Sequence, residues 1–471
     1  MSGSLAGLLA ANALYLAIGA ALLPLLRIVG TREAMLGRLG IAYMVGVAAT
    51  GIVTAHLALV GIAVGLPELV VLATIVGVFG IRRLRRLPKG ERRPLPRGQL
   101  SLISGIVGVG SFLTALVLLA HAARAFAVRP LIEWDGWAIW AMKARALYDF
   151  GGTAHGIFTT QPYGPLQHPL FLPSLEAVGF RAMGAFDGTL THVQLALLAF
   201  GFAAALWTLL RERVPAALAG ATILAIAAAD STLRQLASNL ADVPLAFFVA
   251  LGVVALARWL LEEDARLLPA AALFLGAATL TKPEGLLFAV AAFVAALVAG
   301  GSARLRGTIL TGIAVAAILL PWRVFVAVHH LKNPEYSLGD ALSPSYMSHH
   351  SDRFHPALDG VWQQVWSSGW GLLVPLGLVA FAAALIASRW RLTGFAALWA
   401  VLSFAGIVLV FWISVVPIAL TLKWAAYRTV ASLVLGVAAL APLLAGEAWR
   451  AAEAEVGARP GRTRQERLET N

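Results

Sequence analysis

Leu131-Ile-Glu-Trp-Asp-Gly-Trp-Ala-Ile-Trp-Ala-Met-Lys-Ala-Arg-Ala-Leu-Tyr148 opens a polar segment, 127–188, in a chain that is otherwise almost all apolar. Two carboxylates, Glu133 and Asp135, stand one residue apart among Trp134, Trp137 and Trp140, and Lys143 and Arg145 follow. Acids, indole rings and cations at the foot of a hydrophobic run describe a lipid–water boundary, where aromatic side chains collect. The flanking sequence therefore reads as membrane.

Composition agrees. Of 471 residues, 59% are hydrophobic and 13% charged, against about 25% charged in soluble domains. The net charge of +12 does not imply a nucleic-acid partner, because the basic residues cluster in short loops between apolar runs, as the positive-inside bias demands. Cysteine is absent, which excludes disulfides and thiol catalysis. There is no Walker loop, dinucleotide fingerprint, zincin motif or nucleophile elbow, so nucleotide-driven chemistry is not indicated.

Runs of about 15 to 25 apolar residues bounded by charge, Pro or Gly predict an all-α polytopic protein of about thirteen spans. They fall near 5–26, 40–63, 67–81, 101–126, 189–210, 214–229, 241–261, 267–281, 284–300, 307–326, 369–388, 393–414 and 427–446. No basic segment precedes the first run, so it reads as a retained helix rather than a cleaved signal. Arg27, Arg32, Arg38, the run Arg82–Arg97, Arg211, Arg213, Arg266, Arg304 and Arg306 then share one, cytoplasmic, side. This arrangement puts the N-terminus outside, the C-terminus inside, and the loops 127–188 and 327–368 on the external or periplasmic face. The organisation predicted is a three-span N-terminal extension (1–98), a transmembrane core (99–446) and a polar cytoplasmic tail (447–471). Within the first external loop, 174–186 is expected to be a short interfacial helix.

Four groups of residues on the outer side carry chemistry. Glu133 and Asp135 suit a general base or a divalent cation such as Mg or Mn. Tyr163 and His168, in Tyr163-Gly-Pro-Leu-Gln-His-Pro-Leu-Phe-Leu-Pro173, suit a hydroxyl-bearing ligand. Asp242 stands at the start of a span, where an acid is also a common helix-start residue. Lys282 and Glu284 interrupt two apolar runs; charge there is costly and usually functional, although the two could simply neutralise each other. Near the last span, Lys423-Trp-Ala-Ala-Tyr427-Arg428 adds two cations, which snorkelling would also explain. The cluster His349, His350, Asp352 and His355 has metal-like spacing, yet no regular scaffold, and reads as a solvated loop.

Trp134-Asp-Gly-Trp-Ala-Ile-Trp-Ala-Met-Lys-Ala-Arg-Ala-Leu-Tyr148, with Tyr163 and His168-Pro-Leu-Phe-Leu-Pro173, resembles the first external loop of the C-type (GT-C) integral-membrane glycosyltransferases. The similarity is to the protein O-mannosyltransferase and aminoarabinose-transferase-like group. Ala241-Asp-Val-Pro-Leu-Ala-Phe-Phe248, Thr281-Lys-Pro-Glu-Gly285 and Tyr427-Arg428 resemble further segments of that group, in the same order. The resemblance spans about 101–445 and implies a GT-C-like core with interfacial helices in its external loops. It also implies a cell-membrane enzyme that moves a sugar from a polyprenyl-phosphate carrier to a glycan, lipid or protein acceptor on the outer face. By that resemblance Asp135 is catalytic and Glu133 assists, with both as tentative metal ligands. Trp137, Trp140, Lys143, Tyr163, His168, Asp242 and Glu284 contact substrate, and Lys282 and Arg428 hold the lipid phosphate. Two departures stand out: the acids are Glu-x-Asp rather than adjacent or Asp-x-Asp, and the loop's usual Tyr-Pro is His168-Pro169. The alternative function is a secondary transporter or lipid flippase, which would put ionisable residues on broken helices near the midplane; the break at Lys282 fits it, the external acid pair and missing repeat do not.

Overall fold

An apolar run in lipid satisfies its backbone groups by closing hydrogen bonds within itself, so it becomes a helix. The computed structural model describes residues 4–90, 99–160, 166–337 and 339–458 and is all-helical, with no strand among the described residues. The chain begins with α1 (Leu5–Leu25), α2 (Arg32–Arg38), α3 (Ala42–Leu59) and α4 (Leu66–Arg86). Next, α5 (Gln99–Phe126) enters the polar segment, which holds α6 (Met142–Phe150) and α7 (Phe171–Met183). The central part is α8 (Leu190–Leu210), α9 (Ala216–Ala228), α10 (Asp230–Leu236), α11 (Asp242–Glu262), α12 (Leu268–Thr281), α13 (Glu284–Gly300) and α14 (Leu305–Val328). The last part is α15 (Pro344–His349), α16 (Phe354–Val365), α17 (Leu373–Ile386), α18 (Trp390–Trp412), α19 (Ile418–Thr421), α20 (Tyr427–Thr429) and α21 (Ala431–Ala458).

Eight helices are long and apolar enough to cross a membrane, or up to ten if each of two bent pairs is one span. The chain is a multi-pass helical membrane protein. One bent pair is α9 with α10, turned by 59°; the other joins Ser351–Trp370 to α17 at 104°. Of the remaining expected spans, α12 and α13 are short, at 14 and 17 residues. The third, α4, carries Arg82, Arg83, Arg85 and Arg86 within its final turns. The final span, expected to stop near 446, continues as one helix to Ala458. Residues 91–98 of the basic region and 459–471 of the tail lie outside the described residues.

The helix α11 is the axis of the molecule: its apolar window is buried throughout. At 21 residues it is about 32 Å long, close to the ~30 Å of a bilayer's hydrocarbon core. Connections gather at its two ends. At the C-terminal end of α11, Arg258 bonds Glu212, Glu262 and the Leu209 carbonyl, while Arg38 reaches Glu212 at 3.0 Å and Arg213 reaches Glu447 at 2.7 Å. At its N-terminal end, Asp242 meets Lys282, and the loops bearing Asp135 and Arg428 meet each other.

The interfacial helix expected at 174–186 is corrected in place and character. It is α7, starting at Phe171, and it is buried along nearly its whole length. Phe171 fills the space over Gly51 of α3, where a Cβ would fall 2.4 Å from the ring, so the helix is packed between neighbours rather than laid on the surface. The helix with exposed indoles suited to an interface is α16, through Trp362 and Trp366.

Candidate functional site

Glu133, Asp135, His168, Lys282, Glu284, Lys423, Tyr427 and Arg428 line one cavity of about 710 Å³ at the N-terminal end of α11. They come from segments nearly three hundred residues apart, brought together because helices on both sides of α11 end at the same level. Arg428 forms an ion pair with the Oδ2 of Asp135. Lys282 Nζ donates to Asp242 Oδ1 at 2.7 Å and lies 3.3 Å from Glu284 Oε1. Glu133 Oε1 is held at 2.8 Å by Arg129, four residues earlier in the non-helical stretch after α5.

Local backbone explains these positions. Asp135 immediately precedes a turn of π-helix, Gly136–Ala141, and Arg428 follows a second one, Leu422–Ala426. Such turns are rare and often occur at functional sites. Gly136 lets the turn press on the chain entering α11: a Cβ there would fall 2.5 Å from the Ser238 carbonyl oxygen. The next residue, Asn239, has φ +51°, a left-handed conformation that asparagine tolerates better than most residues. Between α12 and α13, Pro283 follows Lys282 and Gly285 sits where a Cβ would be 2.0 Å from the Ala278 carbonyl oxygen. The break thus folds back tightly and presents the lysine.

Several buried polar atoms here have no hydrogen-bond partner among the described residues: Glu133 Oε2, His168 Nδ1, Asp242 Oδ2, Glu284 Oε2 and Arg428 Nε. Buried polar atoms are ordinarily paired, so this concentration beside a cavity fits a polar ligand. Burial, reinforced by the Lys143, Lys282 and Arg428 charges, holds the His168 imidazole well below its ordinary range, so it is neutral. Withdrawal from bulk water raises the Glu335 carboxyl; Glu284 and Asp135 add to this, and Lys282 and Arg428 oppose it.

The remaining sequence-predicted residues divide. Lys143 is buried away from the cavity: its ammonium donates to the carbonyls of Leu166 (3.1 Å) and His168 (3.0 Å), and burial pushes it down to about 7. It positions the histidine turn. Trp137 and Trp140 do not share a face. Trp140 is buried and packs on the His168 ring at 5.2 Å, whereas Trp137 is exposed and stacks on Trp134 at 5.4 Å. The π turn is the reason, since residues three apart align only at α-helical pitch. The rings on the cavity are Trp134, Trp424 and Tyr427. Asp242 sits behind Lys282, and Tyr163 lies outside the described residues. Glu335, on the cavity wall, was hidden in sequence among the many polar residues of its loop. Among the described residues no three His, Cys, Asp or Glu side chains group as metal ligands, and the tentative pair Glu133 and Asp135 is engaged by two arginines.

Comparison of the chain with protein-family models, with curated proteins and with solved structures finds no match.

Proposed function

We propose that this protein is a glycosyltransferase of GT-C type. On this reading it moves a sugar from a polyprenyl-phosphate carrier to an acceptor hydroxyl on the outer face of the cell membrane. The observation that carries the reading is the convergence of Asp135, Lys282 and Arg428 on one cavity beside the apolar bundle. A lipid-linked donor needs this combination: cations for its phosphate, a carboxylate for the acceptor, and lipid within reach for its tail.

The acceptor hydroxyl gives its proton to Asp135, and its oxygen forms a bond to the anomeric carbon. The bond from that carbon to the phosphate oxygen breaks, and polyprenyl phosphate leaves with the electron pair. Arg428 and Lys423 face the departing phosphate; Lys282 contributes less, because Asp242 and Glu284 already share its charge. Fixed cations in a water-poor cavity stabilise such a leaving group strongly. Arg428 holds Asp135 in the absence of donor. An arriving phosphate competes for the arginine and releases the carboxylate for its role as base. Trp134 and Trp424 supply faces for the sugar ring. The transfer so written uses no metal ion.

The reading includes thirteen crossings with the N-terminus outside. The ends of α12 and α13 support it: Lys282 and Glu284 meet at the Asp242 end of α11, and Arg304, just past α13, pairs with Glu263 at the other end. Purified protein supplied with a panel of polyprenyl-phosphate sugars should release polyprenyl phosphate in the presence of an acceptor. Failure with every donor, alongside protein-dependent movement of a polyprenyl phosphate across vesicles, would replace the enzyme by a flippase.

A further inference from the structure

A second cavity, of about 640 Å³, lies behind the first. The wall between them is thin, and successive residues on it face opposite ways. His168 faces the first cavity while Gln167 and Pro169 face the second; Lys282 and Glu284 face the first while Pro283 faces the second. One side of the second cavity is apolar, built from Leu286, Leu319 and Trp322. Two of these lie on α14, a helix whose apolar window is only 28% buried within the chain and therefore turns mostly to lipid. The same lining holds two exposed cations, Arg323, next to Trp322 on α14, and Lys332, with Asn333 and Tyr336 beside them. Neither cation has a carboxylate within ion-pair distance among the described residues, in contrast to Lys282 and Arg428.

We propose that this cavity binds the phosphate head of an anionic lipid, with the lipid chain lying along α14. An arginine near the end of a membrane helix without a partner is costly, and a phosphate supplies what is missing. Two cations and neighbouring donors exceed what the two oxygens of a carboxylate need; a phosphate monoester brings a charge of about −1.5 to −2 and three acceptor oxygens.

The test is equilibrium binding of radiolabelled dioleoyl phosphatidic acid to the full-length protein in neutral detergent, with competitors. Saturable binding is expected, weakened about tenfold or more in R323A/K332A and largely retained in R323K/K332R, because charge at this site matters more than fork geometry. D135N frees Arg428 in the other cavity and can only keep or raise binding, so loss in R323A/K332A is read as loss of this site and is separable from loss of transfer. The variants' melting temperatures control for folding, and R323Q/K332M replaces the alanine variant if that one is unstable. Unchanged affinity in the neutralised variants would overturn the proposal and leave the two cations as snorkelling side chains. Equal competition by dioleoylglycerol would overturn the phosphate, and equal competition by inorganic phosphate would overturn the lipid.

Discussion

The two ends of α11 both bury charge, and they do so in opposite ways. At the C-terminal end Arg258 is 1% exposed, with two carboxylates and a carbonyl filling its guanidinium fork. Glu447 takes both Arg213 and Arg450. The cavities of about 640 and 710 Å³ both lie by the other end, where Lys282, Pro283 and Glu284 line them. At the N-terminal end the ion pairs are as close, yet unpartnered atoms accumulate, and about 710 Å³ stands open beside them. Buried charge whose partners all come from the chain fastens helices together. Buried charge with partners withheld, next to space, is arranged for something that arrives.

If that distinction is right, substitutions at the two ends should separate stability from turnover. The largest effect is expected for Arg258→Ala, which leaves Glu212 to Arg38 and Glu262 to Arg213 at 3.7 Å and should cost about 3 kcal/mol of stability. Thermal unfolding in detergent measures it, while transfer per folded molecule stays unchanged; a large loss of specific turnover would break the comparison. Asp135→Asn should do the reverse, lowering transfer at saturating donor by about a hundredfold or more with the melting temperature preserved. Glu133→Gln, already neutralised by Arg129, should lose less than about tenfold. Near-normal transfer by folded Asp135→Asn protein would move attention to Glu133 and Asp242.

Gly136→Ala sharpens the comparison, because it touches no charge. Its methyl group meets the Ser238 carbonyl, and such overpacking costs about 1–3 kcal/mol. Turnover should fall with it, as the Asp135 turn is pushed off the start of α11; a drop in melting point with unaltered transfer would show that the contact only packs.

The smallest effect is a pH dependence at His168. Its folded imidazole titrates well below its ordinary range, while the unfolded one titrates near ~6.5. Between those values the unfolded chain binds more protons, so stability rises with pH across that window and is lost as pH falls through it. The melting temperature of the wild type should therefore drop more between pH 7 and pH 5, roughly the span below the unfolded value, than that of His168→Gln. Parallel curves would mean that the folded ring titrates as it does in the unfolded chain.

Much of this was legible in the chain because lipid makes charge conspicuous. Asp135, Lys282 and Arg428 stand out where apolar runs end, and the all-helical fold follows from backbone hydrogen bonding alone. Trp137 and Trp140 were misplaced because a sequence carries no mark of a π turn. The cavity role of Trp424 was equally hidden, since an exposed tryptophan near a span end looks like any interfacial ring. Arg258 sits inside an apolar run and could be taken for a span-end residue; its burial depends on Glu212 folding onto it from another helix. Arg323 is similar. Composition gives its depth, but only packing shows that no acid comes to meet it.

The burial of α11 has a consequence for how the protein is made. As a nascent segment it leaves the translocation channel before α12, α13, α18 and α21 have been synthesised, and it must wait in lipid that it does not touch once folding is complete. Its cationic end can be quenched at once, because Glu212 precedes Arg258 in the chain and Glu262 follows within a turn. Its acidic end cannot: Asp242 waits for Lys282, forty residues later, to emerge. The Arg258 knot can therefore start to form co-translationally, with Glu447 joining it last, while at the end proposed to react Asp242 has no partner until Lys282 returns to it.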